Sequence, residues 1–303
     1  MKKILINGLY PYDEMLTLKL IDYEKGRIIK EEVEKEFNKN FEKLWEIQED
    51  FEYKSDGLLN WQDLLRPFSE IIENCKVLGL KRYFETNFFF RILWFNSRID
   101  IKENQIDEWI NKYFRTKYPN ENKLIILPSP LLFHYFSENI DINTICDILL
   151  QITNFILEKR KGIILFEEPV LTKINLDENL KKILHSFYEK LCKKGYKIFL
   201  QCYFGNIENH LNFLYTLPID GIGIDFINTE IDIIKKWDNN KILIAGCIDC
   251  ENSYIESLEE LTNFINILKG YVNNFYLSGS CDFIFLPSKI AEEKINNLKK
   301  LNL

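Results

Sequence analysis

Residues 162–169 read GIILFEEP, a nearly unbroken apolar run that ends on two glutamates and a proline, and this stretch decides the fold class. Runs of the same kind follow at residues 197–203 (KIFLQCY), 221–227 (GIGIDFI) and 241–247 (KILIAGC). Strands that lack polar alternation are typical of a parallel sheet, because both of its faces are covered. Four further β-rich runs lie farther out along the chain, at residues 3–8, 51–56, 123–128 and 274–280. With residues 162–167 as the strand of the first stretch, the chain carries eight candidate strands.

Helical patterns separate the candidate strands. Apolar residues recur at helical spacing between Leu180 and Leu191. Ser257 and Glu260 form a capping box at the start of another helix. Strands that alternate with helices over short links predict an α/β fold, here a (βα)8 TIM barrel that forms a single domain over residues 1–303.

Residues 57–121, between the second and third candidate strands, are too many for one crossover. We expect a helical insertion there that caps one end of the barrel, with residues 87–95 forming a buried or interface helix. The segment also holds a cluster of aromatic side chains, which either packs this cap or faces a partner protein. These residues are Tyr83, Phe84, Phe88, Phe89, Phe90 and Trp94.

The composition excludes several classes of function. The net charge of the 303-residue chain is −7 and no basic stripe is present, so nucleic acid is not an expected partner. No apolar run reaches about 18 residues and the N-terminus lacks the apolar region of a signal peptide, so we expect a cytoplasmic protein without a membrane partner. The seven cysteines are then reduced thiols, available as core residues or ligands. With only three histidines, a metal site must use mainly sulfur and carboxylate.

The chemistry of such a barrel takes place at the carboxyl ends of its strands, where this sequence places carboxylates, hydroxyls and thiols. These residues are Tyr10, Asp56, Ser129, Glu167, Glu168, Gln201, Cys202, Tyr203, Asp225, Asp249, Cys250, Ser280 and Cys281. Glu167 and Glu168 follow an apolar strand, and a buried carboxylate is costly unless it has a partner. They therefore have either a functional role or a structural role within a hydrogen-bonded rim.

Seven short motifs resemble, in order and spacing, those of the cobalamin-independent methionine synthase family. They are residues 8–11 (GLYP), Gln48, residues 55–57 (SDG), 63–68 (DLLRPF), 167–170 (EEPV), 246–257 (GCIDCENSYIES) and 280–287 (SCDFIFLP). The resemblance spans nearly the whole chain. It implies a barrel fold and a role in methionine biosynthesis.

The resemblance also implies a zinc site, because one of the two barrels of this family binds zinc. Its ligands are a His-x-Cys pair on the fifth strand, a carboxylate on the sixth and a cysteine on the eighth. Zinc turns the thiol of homocysteine into a thiolate that attacks the methyl group of a folate. The other barrel has lost the metal and supports the first.

In this chain Leu200 stands where the resemblance places the histidine, and we expect its side chain to point into the barrel mouth. The implied metal ligands that remain are Cys202, Asp225 and Cys281. A water, a substrate thiolate or Cys250 would complete a tetrahedral site. The cofactor implied is therefore zinc in a degenerate site.

At three other positions, residues that the catalytic barrel of the family uses are also replaced. Leu9 replaces a serine, Leu58 replaces a glutamate that binds the amino group of the substrate, and Glu251 replaces a proton-transferring histidine. The sequence around residues 200–205 and 277–287 resembles the non-catalytic, N-terminal barrel more closely.

The resemblance implies site residues as well. Glu251 and Glu167 are the candidate catalytic residues. The candidate substrate-binding residues are Tyr10, Asp56, Ser129, Glu167, Glu168 and Tyr203.

Three hypotheses about function stay open at this point. The favoured one is a stand-alone, non-catalytic or degenerate barrel that works beside a separate zinc-bearing barrel in methyl transfer to homocysteine. The first alternative is an autonomous zinc-dependent methyltransferase that acts on another small thiol. The second is a binding barrel without chemistry of its own. The methyl donor is a folate or a corrinoid, and the sequence does not decide between them.

Overall fold

The computed structural model describes residues 1–96, 99–118 and 121–301. Its strands are β1 (Cys75–Arg82), β2 (Phe89–Phe95), β3 (Lys123–Pro128), β4 (Ser137–Glu138), β5 (Gly162–Glu167), β6 (Ile198–Cys202), β7 (Gly221–Asp225), β8 (Ile242–Ile248) and β9 (Phe275–Gly279). Its α-helices are α1 (Glu14–Glu24), α2 (Lys30–Ile47), α3 (Arg66–Ile71), α4 (Ile106–Tyr113), α5 (Pro130–Tyr135), α6 (Ile142–Lys159), α7 (Glu178–Cys192), α8 (Leu211–Thr216), α9 (Leu258–Lys269) and α10 (Ser288–Lys299).

Six strands form one curled parallel sheet in the order β3-β5-β6-β7-β8-β9. Three isolated parallel bridges continue this sheet around the barrel, and they join Ile4 to Leu277, Lys2 to Phe51, and Lys54 to Lys123. The first two predicted strands therefore lie between β9 and β3 but contribute single bridges instead of full ladders. The predicted α/β barrel fold is confirmed.

Side chains along each strand alternate between the barrel interior and the surrounding helices. Phe199 of β6 and Tyr276 of β9 lie inside, with their ring centroids 5.9 Å apart. Phe166 of β5 lies on the outer face, where its ring packs against Phe187 and Tyr188 of α7. This alternation decides which polar residues of a strand can reach the interior.

The insertion is not the helical cap that the sequence predicts. It contains the short helices α3 and α4, but its largest element is an antiparallel hairpin in which β1 pairs with β2 from Cys75↔Phe95 to Arg82↔Phe89. The prediction of a helix over residues 87–95 is wrong. Aromatic and β-branched residues fit a strand at least as well as a helix, and a short apolar run does not distinguish the two.

The turn of the hairpin covers the carboxyl ends of the barrel strands. The Tyr83 ring stacks on Phe90, with centroids 3.9 Å apart, and contacts the rings of Phe204 and Phe285, which follow β6 and β9. Part of the predicted aromatic cluster thus packs onto the barrel, whereas Phe89 is 54% exposed.

Within the described ranges, no helix has both the length and the apolar composition needed to cross a membrane.

Candidate functional site at the barrel mouth

Two fully buried carboxylates lie near each other at the carboxyl ends of the strands. Glu167 is the last residue of β5, and Asp282 follows β9. Burial raises the pKa of Asp282 to about 6. Burial, and then the negative charge of Asp282, raise the pKa of Glu167 well above its usual range. Ionising both acids together is therefore unfavourable in this structure.

Tyr203, which follows β6, contributes a hydroxyl beside the two acids. Its oxygen lies 2.5 Å from the hydroxyl oxygen of Tyr83, and either group can donate this hydrogen bond. Burial raises the pKa of both tyrosines well above its usual value, so both stay neutral. The Tyr203 hydroxyl also offsets part of the rise in the pKa of Glu167 and of Asp282.

Two buried amides complete this group. Gln201 pairs directly with Glu167 in the β5–β6 ladder, and neither its amide oxygen nor its amide nitrogen has a hydrogen-bond partner in the described part of the chain. Asn7 donates to the Cys281 carbonyl at 3.1 Å, but its own Oδ1 is unpartnered there as well. We call the following five residues the mouth cluster: Asn7, Glu167, Gln201, Tyr203 and Asp282.

Gly8 allows the N-terminal segment to approach Asp282 closely. Its φ is +64°, and a Cβ atom at this position would lie 2.1 Å from Asp282 Oδ1. The next amide, that of Leu9, donates to the same oxygen at 2.7 Å. A glycine is therefore required here, both for its backbone conformation and for space.

Glu168 has partners outside the mouth cluster. Its Oε1 accepts from the amides of Val170 and Leu171 at 3.1 and 3.3 Å. Burial raises its pKa to about 8, and the Ser129 hydroxyl is the first of the groups that lower it. Ser129 also caps α5 by accepting from the amide of Leu132. Glu168 and Ser129 thus lie together, and each forms hydrogen bonds that stabilise the local backbone.

Asp56 and Tyr10 also have structural partners. Asp56 Oδ2 forms a buried ion pair with Lys123 at 2.9 Å and accepts from the Arg115 amide. Tyr10 is buried against Phe283, with ring centroids 6.3 Å apart. These contacts of Asp56 and Tyr10 involve residues outside the mouth cluster, whereas Ser129 and Glu168 reach it through backbone hydrogen bonds, from the Ser129 amide to the Glu167 carbonyl at 3.0 Å and from the Glu168 amide to the Gln201 carbonyl at 2.8 Å.

Asp225 and Glu251 lie elsewhere on the rim. The Asp225 Oδ1 accepts from the backbone amides of Ile227 and Asn228 in the turn that follows β7, and its Oδ2 accepts from the amide of Phe204, which follows β6. Glu251 is exposed, and its amide donates to Asp249. No contact between Glu251 and Glu167, the two predicted catalytic residues, is found in the described ranges.

The expectation that Leu200 points into the barrel mouth is wrong. Leu200 pairs with Phe166, whose ring packs against α7, and paired residues of a parallel ladder share a face. Cys202, two residues later, lies on the same outer face. The inward positions of β6 are Gln201 and Tyr203, one residue away from those that the resemblance suggested, and a slip of one residue exchanges the two faces.

The predicted zinc ligands are not gathered into one site. Across residues 1–96, 99–118 and 121–301, no group of three or more His, Cys, Asp or Glu side chains is arranged to hold a metal ion. Cys202, Asp225 and Cys281 therefore do not fit the zinc centre of the family. Zinc prefers sulfur and nitrogen ligands, whereas the mouth cluster offers oxygen.

The sequence analysis assigns no role to Asn7, and it includes Asp282 only as part of the 280–287 motif and Tyr83 only as part of the aromatic cluster. A polar run after a buried strand, here residues 278–282 (SGSCD), was the signal that could have identified Asp282.

Comparisons with known proteins identify the family. Residues 68–273 match the family model described as "Cobalamin-independent synthase, N-terminal domain". The chain is 24% identical over 225 residues to the 5-methyltetrahydropteroyltriglutamate–homocysteine methyltransferase of Actinobacillus pleuropneumoniae serotype 5b, with 71% of this chain and 30% of the relative covered. It is 27% identical over 240 residues to the protein of that name from Buchnera aphidicola subsp. Cinara cedri, with 75% and 31% covered. The chain thus spans less than a third of the length of these relatives.

Solved structures agree with the fold. A putative vitamin-B12-independent methionine synthase from Listeria monocytogenes superposes with a TM-score of 0.71 at 14% identity, covering 99% of this chain and 97% of that one. A B12-independent methionine synthase from Shewanella sp. W3-18-1 gives a TM-score of 0.70 at 15% identity, covering 90% and 88%. The predicted family, and the closer likeness to its N-terminal barrel, are confirmed. Because the family model matches more than half of its residues, the chain belongs to the cobalamin-independent synthase N-terminal domain family.

Proposed function

We propose that this barrel takes part in methyl transfer to homocysteine as a non-catalytic subunit, beside a zinc-bearing barrel of the same family. The observation that carries the proposal is the content of the barrel mouth. The inward positions of β6 are Gln201 and Tyr203, and Tyr83 from the hairpin covers them through its contact with the Tyr203 hydroxyl. The place where a barrel enzyme binds its substrate is thus occupied by the chain's own side chains.

The chemistry of the proposed reaction supports this division of labour. A thiol is a weak nucleophile at neutral pH because most of it is protonated, and a zinc ion in the partner barrel would supply the thiolate. The acids of this barrel have raised pKa values and no thiol or imidazole arranged beside them as a metal site in the described ranges. They do not offer the sulfur and nitrogen ligands that zinc prefers.

The relatives named above supply the proposed substrates. Their name states that they transfer a methyl group between 5-methyltetrahydropteroyltriglutamate and homocysteine. We extend this donor and acceptor to the complex of the two barrels, and a corrinoid donor is the alternative that the assay must include.

The test is reconstitution. Methionine formation is measured with this chain alone, with the zinc-bearing barrel from the same source alone, and with both, using each methyl donor in turn. We expect no turnover by this chain alone, and a rate for the mixture that exceeds the sum of the separate rates. Heat-denatured chain serves as the control for nonspecific stabilisation of the partner. Turnover by this chain alone at the rate of the mixture would remove the proposal.

A second candidate, a binding barrel without chemistry, is favoured by one observation. A groove of about 510 Å³ lies between α1, α2 and α4. Aromatic side chains such as Tyr23 and Phe37 line it together with the cations Arg66 and Arg115. Such a lining suits an aromatic carboxylate, the chemistry of a folate. Equilibrium dialysis with 5-methyltetrahydrofolate, compared between the parent chain and Arg115→Ala, tests this candidate, and equal binding by the two would exclude the groove.

A further inference from the structure

We propose that the mouth cluster binds a hard metal cation through oxygen atoms, a site that the proposed function does not use. Hard cations here are the alkali and alkaline-earth ions, which prefer carboxylate and carbonyl ligands. The inference rests on the side chains of the cluster and is independent of methyl transfer.

The cluster has many acceptors without donors. Five fully buried acceptor oxygens have no donor at full hydrogen-bond geometry in the described part of the chain, although the Tyr203 hydroxyl lies close enough to both acids, and the Gly8 amide close enough to Glu167, to lower their pKa values. They are Asn7 Oδ1, Glu167 Oε1, Glu167 Oε2, Gln201 Oε1 and Asp282 Oδ2. Among the described residues of the cluster, Gln201 Nε2 is an unpartnered donor. Buried polar groups in native proteins nearly always have partners, so this excess of acceptors indicates a missing group that brings positive charge.

These side chains come from neighbouring segments at one end of the barrel. Glu167 and Gln201 are direct partners on adjacent strands. Asp282 accepts from the amide of Leu9, and Asn7, two residues earlier, donates to the carbonyl of Cys281. The charge of Asp282 in turn acts on Glu167. The two acids and Asn7 are therefore parts of one local site, and Gln201 borders it from the inner face of β6, with its Oε1 lying over Gly223 of β7.

The charge of the site needs compensation. In the described ranges no lysine, arginine or histidine lowers the pKa of Glu167 or Asp282, and the groups that stabilise their ionised forms are neutral hydroxyl and amide groups. An unpaired buried carboxylate is strongly unfavourable. A cation between the two acids removes this cost, and the two amide oxygens supply further ligands.

The ligand set selects the kind of cation. All the unpartnered acceptors are oxygens, which favours Ca²⁺, Mg²⁺, K⁺ or Na⁺ over zinc. The cluster is fully buried beneath the hydrogen-bonded pair of Tyr203 and Tyr83. An enclosed site of this kind suits an ion that gives up most of its water, and Mg²⁺ does so reluctantly. Ca²⁺ and K⁺ are thus the favoured occupants.

The test is thermal unfolding of the full chain in defined salts. The protein is treated with a chelator, exchanged into choline chloride, and melted after addition of Ca²⁺, Mg²⁺, K⁺ or Na⁺ at constant ionic strength. We expect at least one of these ions to raise Tm above the choline reference, by about 4 °C at about a hundred times its Kd. Equilibrium dialysis with that ion should show saturable binding of a single ion per chain.

Three variants assign the effect to the site. Glu167→Gln and Asp282→Asn should each abolish the ion-dependent shift, measured against each variant's own choline reference. Glu168→Gln is the matched control, because this neighbouring buried acid already has backbone donors, and it should keep the shift. Failure of one acid variant to fold leaves the other as the test.

Two results would overturn the inference. One is a Tm that depends on pH but not on the identity of the cation, which would mean that the acids hold only a shared proton. The other is an ion-dependent shift that persists unchanged in Glu167→Gln and Asp282→Asn. Methyl transfer by the reconstituted barrels does not depend on either result.

Discussion

Replacing Glu168 by glutamine should make the stability of this protein less sensitive to pH. Burial raises the pKa of this carboxyl from 4.5 to about 8. Glutamine keeps an oxygen that can accept from the amides of Val170 and Leu171, and it removes the charge without a change of shape. The variant therefore isolates the cost of ionising Glu168 in the folded state.

The folded and unfolded states bind different numbers of protons at Glu168, and this difference makes stability depend on pH. Between pH 4.5 and about pH 8, the folded protein keeps a proton on Glu168 that the unfolded chain has lost, so the free energy of unfolding falls as pH rises through this window. A full shift of this size corresponds to about 5 kcal/mol, at about 1.4 kcal/mol per pH unit. Local relaxation and a higher effective dielectric make the real effect smaller than this upper limit. We expect the free energy of unfolding to fall by at least about 2 kcal/mol across this pH window.

The assay is urea unfolding of the parent protein and of Glu168→Gln at several pH values between about 5 and about 8. The difference in unfolding free energy between the two should change in favour of the variant by at least about 2 kcal/mol across this range. Glu189→Gln, the same substitution at an exposed position of α7, controls for the change in net charge. Parallel curves for the parent and Glu168→Gln would refute the reasoning.

Three further predictions concern the structure around the site. Tyr83→Ala should lower the free energy of unfolding by about 3–5 kcal/mol, because the ring is fully buried. Phe89→Ala in the same hairpin should lower it by less than about 1 kcal/mol, because this ring is exposed. Equal losses for the two variants in urea unfolding would contradict the packing described. Lys123→Met should lower the free energy of unfolding by about 3–5 kcal/mol, because it leaves Asp56 without its buried ion-pair partner. Adding Asp56→Asn should restore part of this loss. A double-mutant cycle that shows no coupling energy between the two residues would exclude the ion pair. Gly8→Ala should give little folded protein by circular dichroism, because its Cβ would lie 2.1 Å from a carboxylate oxygen, and a parent-like Tm would contradict this contact.

The barrel could be predicted from the sequence because its buried strands are continuous apolar runs. The predicted bounds of β3 and β5 agree with those found, Lys123–Pro128 and Gly162–Glu167. The first two predicted strands show a similar apolar pattern, yet they form only isolated bridges. The apolar pattern of a segment predicts that it is a barrel strand. The number of residues that it pairs with its neighbours depends on strands that are distant in sequence.

The hairpin of the insertion could not be predicted in the same way. Val77, Leu78 and Leu80 of β1 are exposed, so the strand lacks the alternation that marks a half-buried strand. Its turn, residues 83–88 (YFETNF), has none of the Asn-Gly or Asp-Gly pairs that signal a tight hairpin. The length and the aromatic content of residues 87–95 therefore favour a helix when the sequence is considered alone.

The site was predicted in part. Residue type and position at strand ends were enough to identify Glu167 and Tyr203, which the structure brings together with Asp282. The face on which Cys202 lies could not be predicted, because it depends on the exact register of β6 against β5. Only the ladder, and not the motif, shows that Leu200 faces a helix.

We propose that this barrel has no zinc centre of its own, and the zinc content of the purified chain decides this point. The full chain is purified without chelators or added metal, and zinc per chain is measured by mass spectrometry, with Cys202→Ser measured in parallel. We predict far less than stoichiometric zinc in both proteins. Near-stoichiometric zinc in the parent chain that disappears in Cys202→Ser would contradict the account.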